Sequence, residues 1–508
     1  MRLLLLAVLW AGFHGVAPVN RRANGAPGGD IPCDARLREG RLRAAPEGLK
    51  VTTDRTVDTS SLESIVRDVV RLADAATNDE KAIALHTWLH HTIFHAPYPV
   101  ETPPQSVGPL KVIKVYGWGL CGGQHTVLKA LFETAGWKVR YRGWSNPGHT
   151  TIEVFYDGRW HYFDVFLKCY YWTRDRKTIA GQDDIKEDPG IVREAPQEGR
   201  VPPDHYLCCG DDPEGVVQGC KTSTPYPPSR PEDGWASVTG RDRNYAPSLR
   251  LPAGATMRLE WRGEPGQAAV PQRSQHSCGI RDFRNDRTLG PILEHYGPRN
   301  HSNGRLIYAP DFSRAADMAD IALENAQAKA GKIVAPTAGS AVFKLPLPYP
   351  YVTGRLEAEL EGHGTFSIST DGGQSWSETP GGDISARIRQ KYDVWIKAEF
   401  SGALSKLRFE AVVQHNRSAQ PYLLAGSNVV TLSAAEELPP DRTVRVTYAF
   451  QEATAAEKRT QFDGSGLSYG EPRTVSETAR SLPHRWRIDV GGNTPPKMLY
   501  LEYAVQAR

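Results

Sequence analysis

Between residues 60 and 95 the apolar positions recur every three or four residues, the period of helices packed on one side. Leu62, Ile65, Val66, Val69, Leu72 and Ala73 form one stripe, and Ser60 with Glu63 ahead of it reads as a capping box. Leu85, Trp88, Leu89 and Ile93 form a second stripe, opened by Thr77 with Glu80 and closed by the proline-rich stretch 97–109. A third helix is predicted from about Cys121, with Val127, Leu128, Leu131 and Phe132 on its apolar face and Gly136 as its terminator. The period then changes to two. Residues 138–144 alternate, and 150–156 and 160–167 flank Asp157-Gly158, a strong two-residue hairpin turn. From 182 to 245 the chain is polar, proline-rich and aperiodic, which predicts irregular loops or a linker. Beyond 246 alternation dominates, at Met257, Leu259 and Trp261 and again in 356–360, 394–400, 407–413, 444–450 and 498–505. Short strands with turns between them predict β-sandwich modules, and 315–329 predicts one helix among them.

Length and composition sharpen this picture. With 508 residues the chain needs several domains, and its 47 glycines and 38 prolines favour turns and short strands. A net charge of +3 and the lack of a long Lys/Arg run exclude an electrostatic case for nucleic acid as a partner. Arg2 followed by the apolar run 3–11, with small residues at Gly15 and Ala17, predicts a secretory signal too short to span a bilayer. The expected product is secreted or periplasmic, with no integral membrane segment in the mature chain. In that setting Cys33, Cys169, Cys208, Cys209, Cys220 and Cys278 have the option of pairing, and Cys121 is the one read as a free thiol.

Candidate chemistry centres on Cys121. It is bracketed by Gly119, Gly122 and Gly123 where loop becomes helix. A thiol at a helix N-terminus meets unpaired N–H groups and the positive end of the helix dipole, both of which favour the thiolate. The same N–H groups suit a developing oxyanion. A histidine is the natural proton carrier for such a thiolate at neutral pH. His149 opens the strand after Trp144. Counting back from the Asp157-Gly158 turn, His149 falls opposite residue 166 and diagonal to Asp164, so the hairpin alone can bring imidazole and carboxylate together.

Gly119-Leu120-Cys121, His149 with Glu153 four residues on, and the run from Gly158 to Asp164 together resemble the transglutaminase-like (papain-related) core of exported bacterial proteins, over roughly a fifth of the chain. The resemblance implies a Cys121–His149–Asp164 triad that acts on amide or ester carbonyls through a thioester. The substrate class it implies is a polypeptide or cell-wall amide, with hydrolysis or amine transfer as the outcome. Val165-Phe166 stands where the family often has proline and threonine, and the Gln-Cys-Trp signature of animal transglutaminases is missing, which weighs against cross-linking. The expected architecture is an α+β cysteine-protease/transglutaminase-like core followed by mainly β, sandwich-like C-terminal modules. Its expected divisions are 1–17 signal, 18–45 lead-in, 46–181 catalytic domain, 182–245 linker, 246–430 β-rich domain and 431–508 β module. On this reading the β modules anchor a polymeric substrate. The alternative is a non-catalytic exported scaffold that works through those modules.

Other residues have competing readings. Trp118 and Gln124 are the candidates for substrate or oxyanion contacts, while Trp88 is read as core. His125, one turn after Cys121, competes with His149 as the base. Glu153 is read as a surface charge of the hairpin. The pairs His86/His90 and His91/His95 have metal-chelating spacing but are read as a solvated face, so neither a metal nor another cofactor is expected. Cys208, Cys209 and Cys220 suggest a disulfide clip ahead of a zinc site. Tyr170-Tyr171-Trp172 suits a groove or a core. Ser369 to Trp376 resembles an Asp-box hairpin, with carbohydrate contact as the alternative to a purely structural turn. Asn300 and Asn416 begin acceptor-type sequons.

Overall fold

A computed structural model describes residues 48–95, 99, 101, 107–146, 148–202, 213–225, 245–264, 266–269, 301–456, 467–493 and 495–508. The expected signal segment and lead-in, with Cys33, Cys208, Cys209, Cys278 and Asn300, lie outside them. The chain is mixed α+β with mostly strands arranged in several sheets.

After a first strand, β1 (Lys50–Thr53), come helices α1 (Leu62–Leu72) and α2 (Asn78–Thr92). The capping box of α1 is formed by Ser61 with Ser64, one position beyond the expected pair, because the Ser60 N–H is already given to Asp58 Oδ1 at 3.0 Å. That of α2 is Thr77 with Glu80, as the spacing suggests. Two short turns, Pro109–Lys111 and the π-wound Val112–Tyr116, lead to Gly117 in the left-handed region at φ 73°. Helix α3 (Cys121–Thr134) follows and stops before Gly136, whose φ is 91°.

Three antiparallel strands lie against α3: β2 (Lys138–Ser145), β3 (Gly148–Tyr156) and β4 (Arg159–Phe163). Asp157 and Gly158 both take positive φ, 48° and 80°, as a two-residue hairpin of this hand requires. The ladder runs from Tyr156 opposite Arg159 to Ile152 opposite Phe163.

The stretch expected as a linker is instead built partly of helices. Helix α4 (Gln182–Glu187), the turns Gly190–Arg193 and Ala195–Glu198, and α5 (Pro213–Thr222) surround a small core with Trp144, Tyr162, Ile185, Val192 and Val217. Thr224–Pro225 then adds to the edge of β2. Most of these helices are too short to show a repeating stripe, so the amino-acid pattern reads as loop.

In the C-terminal half the long strands are β5 (Ala255–Glu260), β6 (His301–Tyr308), β7 (Lys332–Pro346), β8 (Tyr351–Ser369) and β9 (Asp393–Asn416). They are followed by β10 (Gly426–Ser433), β11 (Arg442–Gln451), β12 (Arg473–Ala479), β13 (His484–Val490) and β14 (Lys497–Ala507). The runs 394–400 and 407–413, expected as two strands, are both part of β9. Gly402 at φ 117° faces Gly362 at φ 116° across the ladder, which lets both strands turn without ending. The helix expected over 315–329 shrinks to Ala315–Met318, and Ile321–Glu324 and Gln327–Lys329 pair with β7 instead. Helix propensity there is overridden by pairing to a neighbouring strand.

The sheet order β7–β9–β6–β5–β14–β11–β12 joins strands from both expected β modules in one hydrogen-bonded sheet. β1, from the N-terminal side, pairs with β10, which pairs with β13. A continuous hydrophobic core runs from Ile65 and Leu128 to Phe409 and Val430. The expected divisions at 245/246 and 430/431 therefore do not separate cores among the described residues.

Candidate functional site

Cys121 is the first residue of α3 and is half-buried. The preceding Leu120 gives the helix start no side-chain cap, so the dipole and the first backbone N–H groups act directly at the thiol. Cys169 and Cys220, by contrast, are fully enclosed, and burial pushes both thiols well above the usual range. Among the described residues both are free, so Cys169 and Cys220 do not pair with each other.

The hairpin brings His149 and Asp164 together as its register implies. His149 Nε2 lies 2.7 Å from Asp164 Oδ2. The ladder of β4 ends at Phe163, and Asp164 enters a tight loop closed by two backbone bonds to Cys169, at 2.9 and 3.0 Å. Its carboxylate accepts from Leu167 N–H at 2.8 Å on Oδ1 and from Tyr162 O–H at 3.0 Å on Oδ2, and no part of it is exposed. The Asp164 carbonyl sits 2.9 Å from His86 Nε2. Burial opposes ionisation of Asp164, but chiefly the His149 imidazole beside it holds the carboxyl well below its ordinary value.

His149 shows the complementary effect. Burial pushes it down, yet the Asp164 carboxylate and a hydrogen bond with Cys121 outweigh burial and raise it to about 10. With Nε2 on Asp164, Nδ1 is the nitrogen left for the thiol. The ring is walled by Trp144, its cross-strand partner, edge-on at 5.1 Å, by Phe166 at 5.4 Å and by His125 at 5.7 Å. Trp144 in turn donates Nε1–H to Gln182 Oε1 at 3.0 Å and presses on Gly219 of α5, where an added Cβ would come within 2.1 Å of the indole.

Two expectations are corrected by burial. Glu153 is fully buried rather than a surface charge: it accepts from Arg140 Nε at 2.8 Å and from Gln182 N–H at 2.8 Å. His86 and His90 are enclosed, at 0% and 2% exposure, where a solvated face was expected. His86 packs edge-on to Tyr170 at 5.6 Å because the apolar stripe of α2 is wider than Leu85, Trp88 and Leu89 alone. Among the described residues no group of His, Cys, Asp or Glu is arranged to hold a metal ion.

Of the two substrate-contact candidates, Trp118 is 1% exposed and packs between Tyr116 and His301, at 5.3 and 6.3 Å between rings. Gln124 is 2% exposed, and its Oε1 has no hydrogen-bond partner among the described residues. Tyr171 stacks on Tyr162 at 6.4 Å inside the small core, so that aromatic run packs rather than lines a groove. The Asp-box-like turn is internally satisfied: Asp371 Oδ1 caps the N–H groups of Gln374 and Ser375, each at 3.0 Å.

Two residues brace the segment ahead of Cys121, a role that the sequence assigned to neither. Asn416, at the end of β9, is completely buried. Its Nδ2 donates to Thr92 O at 3.1 Å and Ile113 O at 2.7 Å, and its carboxamide fills the space a Cβ on Gly117 would need. The sequon it begins is thus inaccessible in the fold. Glu101 accepts from Lys111 Nζ at 2.9 Å and from the hydroxyls of Tyr116 and Tyr392, linking the segment before Cys121 to the strand half.

The arrangement places a half-exposed thiol, a charged imidazole and a buried carboxylate in hydrogen-bonding sequence at a helix start, a set able to attack a carbonyl and hand a proton to a leaving group. No helix among the described residues is long and apolar enough to cross a membrane. No known protein-family model matches the chain, and no curated protein matches it either.

Proposed function

We propose that the protein is an exported thiol enzyme with a transglutaminase-like (papain-related) core that opens amide bonds in a polypeptide or cell-wall substrate through a thioester on Cys121. The observation that carries this reading is His149, held 2.7 Å from the Asp164 carboxylate and beside Cys121, partners that favour its charged form. The Cys121 thiolate attacks the carbonyl carbon, and the tetrahedral oxyanion faces the N–H groups at the start of α3. His149 gives its proton to the departing amine, leaving an acyl-thioester. Water, deprotonated by His149, then attacks that thioester and releases the acid with the thiol restored. An amine in place of water is the alternative acceptor.

Labelling with iodoacetamide tests the proposal. Cys121 is expected to alkylate faster than a free peptide cysteine at neutral pH, and His149→Ala is expected to remove that advantage. A thiol that labels at the free-peptide rate, with no response to His149→Ala, overturns the catalytic reading. The acceptor is read separately, as free carboxylate against incorporated amine.

A further inference from the structure

We propose that His125 is a positioning residue, held as a neutral imidazole that ties the backbone of Cys121 to the chain just after Asp164. The inference rests on the thiol mechanism above and identifies which histidine does not carry protons in it.

His125 is fully buried on α3, one turn beyond Cys121. Its Nδ1 lies 2.7 Å from the Cys121 carbonyl oxygen. A carbonyl only accepts, so Nδ1 carries the hydrogen and donates. Its Nε2 lies 3.3 Å from the Val165 N–H, which only donates, so Nε2 presents its lone pair. The two contacts together select one neutral tautomer. Asp164 Oδ1, at 3.5 Å, is farther from the same Nε2 than the Val165 nitrogen at 3.3 Å. A proton on Nε2 would face the Val165 N–H head-on, so the approach to Asp164 is a packing contact and not a second ion pair.

The consequence is a division of labour between two histidines that share one carboxylate. His149 meets Asp164 from one side and exchanges protons with the thiol. His125 meets the same loop from the other side, with its ring edge-on to His149 at 5.7 Å, and sets where nucleophile and carboxylate stand relative to each other. Both of its ring nitrogens are committed to backbone, which removes it as an alternative base.

Three variants of the full chain test this: His125→Leu removes both contacts, His125→Asn can retain the donor to Cys121 O, and His125→Gln can retain an acceptor for Val165 N–H. The readouts are the pH profile of iodoacetamide labelling at Cys121 and the 15N shifts of selectively labelled histidine. In the wild type His125 is expected to show the Nδ1–H tautomer. In His125→Leu labelling is expected to fall roughly tenfold to a hundredfold, the cost of a misplaced reacting group. The two polar variants are expected to recover part of that loss, and the limb of the profile assigned to His149 should persist in all three. Wild-type rates in His125→Leu, no recovery by either polar variant, or an Nε2–H tautomer would each overturn the proposal. So would loss in His125→Leu of the limb that His149→Ala leaves intact. A slow wild-type thiol indifferent to His149 marks failure of the mechanism itself, while the tautomer still reports on His125. If His125→Leu does not fold, the two polar variants carry the comparison.

Discussion

Asp164 concentrates the electrostatics of the site. It has no exposure, and its carboxylate meets three hydrogen bonds, from His149, Tyr162 and Leu167. Asp164→Asn keeps the shape but removes the charge that holds His149 up against burial. Turnover of an amide substrate is expected to fall by roughly two to four orders of magnitude, the usual worth of a well-set acid–base group. The sign of the pH effect on stability follows from the two shifts. The contribution of raised His149 is full below about pH 6.5 and is lost as pH rises through about 10. That of depressed Asp164 is full above about pH 4 and is lost in stronger acid. The difference in melting temperature between wild type and Asp164→Asn is therefore expected to be widest between about pH 4 and 6.5 and to narrow as pH rises through about 10. At this scale the meeting of His149 with Asp164 was legible because a two-residue turn converts sequence distance into spatial register. Glu153, His86 and His90 were not, because a charged or polar type reads as surface until its partners, Arg140 or the Asp164 carbonyl, are known.

Among elements, α3 and the β3–β4 hairpin were readable from period, cap and turn, and their bounds fall within a few residues of expectation. The elements that cover the site were not. Helix α5 shows no long stripe, yet its Gly219 lets Trp144 lie flat beneath it and close over His149. Gly219→Ala is expected to destabilise the fold by about 1–3 kcal/mol through overpacking. It is also expected to slow labelling of Cys121 more than its effect on melting predicts, since the displaced indole is the wall of the imidazole. Calorimetry and the alkylation rate measured on the same sample check both parts. The helix expected over 315–329 failed for a different reason: local preference there is outbid by pairing with β7, which no short window of sequence contains.

The whole molecule is where the expected modular plan changes most. β1 belongs to a sheet completed by residues beyond 425, and the hydrophobic core is continuous from α1 to β14. Heat is accordingly expected to unfold the described body in one calorimetric transition rather than module by module, and a chain cut after residue 245 is expected to lose the Cys121 reactivity with it. Asn416→Ala leaves the Thr92 and Ile113 carbonyls without their donor, a loss of about 1–3 kcal/mol for each buried polar group so orphaned. Its melting temperature should fall, and labelling of Cys121 should slow because the turn at Gly117 loses the wall that shapes it. These links were invisible in the sequence because they join positions some 300 residues apart through single side chains.

That distance also orders events in time. A chain leaves the ribosome N-terminus first, so Cys121, His149 and Asp164 are all made long before Asn416 or the strand that receives β1. Until those later residues arrive, Gly117 lacks the Asn416 carboxamide that packs against it, and β1 lacks its partner strand. The surroundings of Cys121 are thus expected to be completed only after residues some 300 positions downstream have been made.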